Sequence, residues 1–449
     1  MSVLEFQLTG ANVKVAPYFP HQQSAVFFAI SADDCLLHFR REELTEKQLA
    51  DDTANKDLIA LLQVGSMFVA KPGDHVAVYE DFKREPWRTT LARYHAGFQQ
   101  LGLSPVDFGD LHFHPREDFY RPLAESPPDT DLVTVYLLSG SNEALHPSPE
   151  VLAVSRTVNS KMHLARNAAE QGIPVPDTLV CTKGTLTDAP PRRFLDAHGG
   201  EVMLKVMGLA GARNVTAISS IEAGLKYLSE YGDDMELVLQ QKLPADRYTE
   251  MTVDLVVSDD EVRVANARRI LFSDGLWVGN YISEAVTLTD TQARTLIRVG
   301  EYVRSLGYSA PQGLNCGIDF FVSRDDIQVI EINARWTGGL LPAEMARRLN
   351  LGRTDAVASF DTVSADRLSD YLAFAERYLF GTHDGAFAVA PMGFSPYLYE
   401  VDGEQRVHVW QLTIGDYENF KRVKNEVLGP GELPVASTIE LGHITGTGS

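Results

Sequence analysis

The stretch from Gly317 to Arg335 (Gly-Ile-Asp-Phe-Phe-Val-Ser-Arg-Asp-Asp-Ile-Gln-Val-Ile-Glu-Ile-Asn-Ala-Arg) constrains this chain more than any other. Two apolar runs flank a polar Ser-Arg-Asp-Asp, the pattern of a β-hairpin. Strand side chains alternate between faces. Asp319 shares a face with Phe321, while Ile318, Phe320 and Val322 point the other way. Glu331 and Asn333 share a face, and Ile330 and Ile332 point away from it. A fold about Asp325 sets Asp319 opposite Glu331. Two opposed carboxylates on a half-buried sheet repel each other, and a divalent cation removes that repulsion. Two carboxylates and an amide oxygen are hard ligands suited to Mg²⁺ that is also held by substrate phosphates. A hairpin with a merely acidic outer face is the competing reading, and this segment alone leaves the two even. Arg335 falls on the same side if the strand continues, where its guanidinium can stabilise phosphoryl oxygens or an oxyanion.

A second segment runs from Glu201 to Val215 and carries Lys205 inside an apolar strand, followed by Gly208 and Gly211. A buried ammonium needs a partner. Phosphate oxygens under a glycine-bearing loop would supply one, and a lysine snorkelling from an edge strand is the plainer alternative. A third, Val238 to Pro244, is a strand running into a proline-terminated linker. It can offer backbone groups and the Gln240 side chain to a purine edge, or it is simply a strand end.

The rest of the chain reads as alternating strands and helices, an α/β pattern. Ser24 to Ile30 and Leu132 to Leu138 are buried strands, and Leu91 to Leu101 is an amphipathic helix. Lys161 to Gln171 is a helix stopped by Gly172. Strands follow at Thr178–Thr182, Glu201–Met207, Asn214–Ile218 and Leu237–Leu243. A hairpin spans Glu250–Val257 and Glu261–Ile270. At 449 residues the chain holds about three domains. We expect an N-terminal α/β domain over 1–153, a central unit over 154–350 with a mobile lid at about 178–240, and a C-terminal domain over 351–449.

Lys and Arg number 40 against 61 Asp and Glu, a formal charge of −21. Nucleic acid and anionic membranes are therefore not expected partners. Three cysteines, Cys35, Cys181 and Cys316, form no CxxC pair. With no signal-peptide pattern at the N-terminus, this fits a reducing cytoplasm. His112-Phe-His114 puts two imidazoles on one strand face, read as solvated rather than metal-bound. Ser139-Gly140-Ser141-Asn142 follows a buried strand and reads as an ordinary turn. Trp336-Thr-Gly-Gly339 is either a turn or the border of an acceptor pocket.

In order, these segments resemble the ATP-grasp superfamily of carboxylate–amine ligases. The resemblance covers roughly Val154 to Leu349. It starts at Asn159-Ser160-Lys161 and Gly172-Ile-Pro-Val-Pro-Asp-Thr178, passes through Lys205 and Gln240–Leu243, and includes Glu250-Met-Thr-Val-Asp254. It ends on Asp319 and Glu331-Ile-Asn333-Ala-Arg335. It implies an ATP-grasp fold, α/β (α+β), with an N-terminal α/β domain before the core and a C-terminal extension. It further implies that ATP and Mg²⁺ are used. Lys161 and Lys205 would contact ATP phosphates, Gln240, Gln241 and Leu243 would frame adenine, and Glu250 would lie near the ribose. Asp319, Glu331 and Asn333 would hold Mg²⁺. Arg335 and Arg268 would steady the transferring phosphoryl group and the acyl-phosphate.

The layout is most similar to the peptide ligases of bacterial peptide natural-product biosynthesis, of the pheganomycin ligase type. That implies an amide bond formed between amino acids or small peptides, with a possible homodimer. The loop Gly208–Asn214 is poorer in glycine than that of biotin carboxylase. Gly317 stands where D-alanine–D-alanine ligases carry arginine, and Gln240 stands where many relatives carry glutamate. Activation of a small acid such as bicarbonate or formate, and a non-catalytic ATP-binding module, are the alternatives.

Overall fold

A computed structural model describes residues 5–8, 11–15, 24–32, 38–39, 41–135, 149–207, 214–273, 276–324 and 326–429. Unbroken apolar runs such as Val26-Phe-Phe-Ala29 and Val76-Ala-Val78 suit strands buried on both faces, as parallel strands are. They lie in a six-stranded sheet built from β1 (Glu5–Leu8), β2 (Ala11–Val15), β3 (Val26–Ala29), β4 (His75–Tyr79), β5 (Leu111–His114) and β6 (Asp131–Thr134). The order is β1-β2-β6-β3-β4-β5, parallel except for the β1–β2 pair. The long helix Glu46–Val69 starts from a capping box between Thr45 and Gln48, which satisfies two otherwise orphaned backbone groups. The turn expected at Ser139–Asn142 lies outside the described residues.

The next four strands form a small antiparallel sheet: β7 (Thr178–Thr182), β8 (Val202–Val206), β9 (Val215–Ile218) and β10 (Glu236–Gln241), in the order β7-β10-β8-β9. It has its own apolar core around Leu186, Leu204, Ile218 and Leu237. The loop carrying Gly208, Gly211 and Arg213, between β8 and β9, lies outside the described residues.

All remaining strands join one antiparallel sheet. They are β11 (Thr249–Val257), β12 (Val262–Ser273), β13 (Leu276–Ile282), β14 (Leu314–Val322), β15 (Ile327–Asn333), β16 (Ala356–Ser364), β17 (Phe387–Val401) and β18 (Glu404–Gly415). Their order is β15-β14-β11-β12-β13-β16-β18-β17. The segment after residue 351 thus continues the sheet of the central unit, through β16 paired with β13. The short strands expected at Ala386–Val389 and Val407–Leu412 are parts of one long hairpin. Helix Glu46–Val69 crosses this sheet closely at Gly65. A Cβ there would already touch Leu341 and Trp410 at 3.4 Å. Among the described residues, no helix is long and apolar enough to cross a membrane.

Candidate active site

The hairpin β14–β15 pairs Asp319 with Glu331 and Gly317 with Asn333, so all three oxygen-bearing side chains share a face. The ladder shifts between Asp319 and Phe320, because Phe320 pairs with Val329. Ile330 is the extra residue of a β-bulge. Alternation alone had pointed Ile330 away from the site. The bulge instead brings it to the cleft wall, and its carbonyl accepts from Lys205 Nζ at 3.5 Å.

Two more strands extend the row. Thr252 on β11 pairs with Asp319 on one side and with Arg268 of β12 on the other. Arg268, Thr252, Asp319 and Glu331 therefore run side by side across four strands on one face. Thr252 hydrogen-bonds the Asp319 carboxylate. Asn333 Nδ2 donates to Asp319 Oδ2 at 2.9 Å. Arg335 folds back so that its Nη1 donates to Asn333 Oδ1. Lys161, first residue of the helix Lys161–Asn167 capped by Ser160, forms an ion pair with Glu331.

These contacts set the charges. Burial, then the neighbouring Glu331, pushes Asp319 up to about 6. Burial also raises Glu331, but Lys161, Arg335 and Lys205 outweigh it and hold that carboxyl below its usual value. Burial lowers Lys205 to about 8 against the opposing pull of Glu331. Glu250 is pushed up to about 8 by burial and then by Asp319. Glu250 lies two residues before Thr252 on the same face, within the field of the carboxylates and Lys205.

A small cleft opens between the small sheet, the helix Lys161–Asn167 and Ile330 of β15. Lys161, Lys205, Thr178 and Gln240 line it, with Val175, Val238 and Ile330 as apolar wall. Gln240 Nε2 donates to Thr178 Oγ1 at 3.1 Å, and the Gln241 N–H donates to Asp177 O at 2.8 Å. Gln241 and Leu243 are half-buried at and just beyond the end of β10 and do not line this cleft. Arg268 is fully buried, with Nη1 on Asp254 Oδ2 at 2.5 Å and on Asn266. It stands two strands from Asp319, about 10 Å away at the usual strand spacing.

The sequence reading missed Thr252, the Asp254–Arg268 pair and His38. The alternation Glu250, Thr252, Asp254 was a usable signal for the first two. His38 had none, since only the fold sets it near Lys161, Arg156 and Arg335, where burial and then those cations lower it to about 4. The imidazole expected to be solvated at His112 meets His75, Nε2 to Nδ1 at 3.1 Å. His114 is buried and bonded to the Phe119 carbonyl at 2.8 Å.

Among the described residues, no three His, Cys, Asp or Glu side chains converge as a metal site by themselves. The donors present are two carboxylates and an amide. That incomplete, all-oxygen set fits Mg²⁺ whose shell substrate phosphates would complete.

No family model matches the sequence, and no curated protein matches it. Solved structures do. The chain is similar to phosphoribosylamine–glycine ligase from Thermotoga maritima at 14% identity, over 92% of this chain and 98% of that one, with a TM-score of 0.50. The fold is the ATP-grasp fold. Other similar structures are the biotin carboxylase domain of Hydrogenobacter thermophilus 2-oxoglutarate carboxylase and N5-carboxyaminoimidazole synthetase from Staphylococcus aureus. The first has 12% identity over 91% of this chain and 90% of that one, with a TM-score of 0.49. The second has 11% identity over 92% and 99%, with a TM-score of 0.45.

Proposed function

We propose that this chain is an ATP- and Mg²⁺-dependent carboxylate–amine ligase. It joins amino acids or small peptides through an acyl-phosphate and releases ADP and phosphate. One observation carries the reading. Asp319, Glu331, Asn333 and Arg335 cluster at the β14–β15 hairpin, and Glu331 is ion-paired to Lys161, which lines a cleft together with Lys205 and Gln240. An adenine nucleotide fits this gradient from apolar and amide groups at one end to charges at the other.

Gln240 and the Val175–Val238 wall would hold adenine; Gln241 and Leu243, outside the cleft, would act only through the course of the chain beside it. Lys161 and Lys205 would bind phosphate oxygens, and Glu250 would stand beside them. Phosphate binding draws Lys161 off Glu331 and frees that carboxylate. Asp319, Glu331 and Asn333 would hold Mg²⁺, which when bound offsets the charge of the phosphates and of the developing transition state. The substrate carboxylate attacks the γ-phosphorus, and ADP leaves. The amine lone pair then forms the C–N bond as the acyl C–O bond breaks. Phosphate departs with that electron pair, and the amine proton is lost to solvent or phosphate. No protein nucleophile is needed, so positioning and charge carry the rate. Arg335 would steady the tetrahedral oxyanion, a role worth about 3–4 kcal/mol for one donor. The small sheet, closed over the nucleotide, would keep water from the acyl-phosphate.

The test is ADP release with Mg²⁺ and ATP over the standard amino acids, singly and in pairs, beside bicarbonate and formate, with Glu331→Gln as control. Stimulation by amino-acid pairs with a mass-confirmed amide supports ligation. Stimulation by bicarbonate or formate alone replaces it with small-acid activation. ATP binding without turnover on any of these replaces it with a regulatory module.

A further inference from the structure

Thr178 and Gln240 stand directly opposite each other on the paired strands β7 and β10, and both line the cleft. Their hydrogen bonds settle how the Gln240 amide is turned. Thr178 Oγ1 lies 2.6 Å from the Pro176 carbonyl oxygen. A carbonyl oxygen only accepts, so the single hydroxyl proton goes to Pro176 O. The hydroxyl can then only accept from its other neighbours. The arm of Gln240 that lies 3.1 Å from it is therefore the Nε2 donor. Oε1 is the arm that the amide keeps for the cleft. These bonds lie within one sheet, and the Gln241 N–H on Asp177 O at 2.8 Å ties the same two segments beyond the pair. The orientation therefore travels with the small sheet as that sheet opens or closes. Gln240 is 7% exposed, so a flipped amide would set Oε1 against Thr178 Oγ1, acceptor to acceptor, with little water to relieve it.

We propose, resting on the nucleotide reading above, that Thr178 is a positioning residue that makes this site select an aminopurine nucleotide over an oxopurine one. A glutamine amide carries one donor arm and one acceptor arm, and its orientation decides which of them the cleft presents. The exocyclic amine of adenine donates to Oε1. The exocyclic oxygen of guanine or hypoxanthine is an acceptor and would meet Oε1 acceptor to acceptor. To pair with that oxygen the amide must flip, which strips Thr178 Oγ1 of its donor. A site built around one hydrogen-bonding group rejects the analogue that leaves its buried polar atoms unpaired. Without the Thr178 hydroxyl the amide turns at little cost and serves either base. Thr178 thus acts through Gln240.

The experiment is calorimetric binding of ADP, GDP and inosine diphosphate to the full chain with Mg²⁺, which does not depend on the acid or the amine. We expect GDP and inosine diphosphate to bind roughly 10- to 100-fold more weakly than ADP. Inosine diphosphate lacks guanine's own amine, so its weakness isolates the exocyclic oxygen. Thr178→Val keeps the side-chain shape and removes the hydroxyl. It should bring ADP and inosine diphosphate to within about threefold of each other, chiefly by tightening the second. Thr178→Ser should keep the preference. Adding Gln240→Glu to Thr178→Val should restore it, because both carboxylate oxygens accept. Equal binding of ADP and inosine diphosphate by the unaltered chain overturns the inference. So does a folded Thr178→Val with the original ratio. Either result leaves the nucleotide reading standing. Should Thr178→Val fail to fold, Gln240→Leu decides: it should erase the preference, and a preference kept without the amide overturns the inference. If ADP does not bind, the nucleotide reading falls and this inference with it.

Discussion

Lys161, which lines the cleft, and Glu331, 170 positions away in sequence, are joined by an ion pair. The lysine that would bind phosphate and the carboxylate that would bind metal neutralise each other here. On the proposed reading, nucleotide and metal arriving together would exchange this pair for two others. In the chain alone the pair compensates both charges, where an unpaired half-buried charge is costly.

Glu331→Gln keeps the shape of the side chain and removes its charge. ADP release should fall by roughly 100-fold or more, the scale of about 3 kcal/mol lost from transition-state stabilisation. The fold should persist, because Lys161 keeps a hydrogen-bond acceptor in the amide. Steady-state ADP release and the circular dichroism melt check the two halves.

Asp319 lies at about 6 because burial and Glu331 disfavour its ionised form. Binding of Mg²⁺ requires the carboxylate, so below pH 6 a proton must leave first. The Mg²⁺ concentration for half-activation should rise by up to tenfold per unit as pH falls from 6 to 5, and be flat above 7. Without metal the raised value means the folded state holds the proton more tightly than the unfolded chain. Its contribution to stability is then full below pH 3.8 and lost as pH rises through 6. Metal titrations at fixed ATP, and urea unfolding with chelator, measure these.

Lys205 is lowered to about 8 by burial. A neutral amine cannot hold phosphate, so the KM for ATP should climb between pH 7 and 9. Lys205→Arg, charged throughout, should abolish that climb. Without nucleotide the depressed value works the other way. The unfolded chain binds the proton more tightly, so this group's contribution to stability is present above 10.5 and lost as pH falls through 8.

Lys424 and Asp361 form an ion pair with both side chains at 0% exposure, and Gln411 Nε2 adds a bond to Asp361 at 3.3 Å. Removing one buried partner strands the other. Lys424→Met should cost about 3–5 kcal/mol. The urea midpoint should drop while the remaining folded protein keeps its KM for ATP, since the pair is remote from the cleft.

The helix Glu46–Val69 touches the small sheet's unit through Lys47, whose Nζ lies 4.2 Å from the centre of the Tyr227 ring and whose N–H donates to Glu230 at 3.3 Å. An exposed cation–π contact is worth about 0.5–1 kcal/mol. Lys47→Ala keeps the backbone bond and loses the ring contact. On the proposed closure of this sheet over the nucleotide, the KM for ATP should rise by roughly two- to fivefold, the same energy expressed as a ratio. An unchanged KM would show that the contact does not bear on closure.

The chemistry-bearing hairpin was legible in the residues because everything that sets it is local. Period-two alternation assigns Asp319, Glu331 and Asn333 to faces, and a four-residue polar turn sets which residues oppose. Alternation failed at Ile330, where the bulge inserts one residue, and a bulge is decided by the partner strand. Nothing near Lys161 in sequence announces Glu331. Alternation puts Glu250, Thr252 and Asp254 on one face, but not beside Asp319 and Arg268, since pairing of distant strands depends on which edges remain free once the core closes. The same holds after residue 351. Helices followed by short strands are legible there, whereas the open edge of β13 that takes up β16 is not. Short-range alternation and turn chemistry therefore determined which side chains face one another within a hairpin. Only tertiary packing decided which strands stand side by side, because that choice balances apolar burial against chain entropy over the whole molecule.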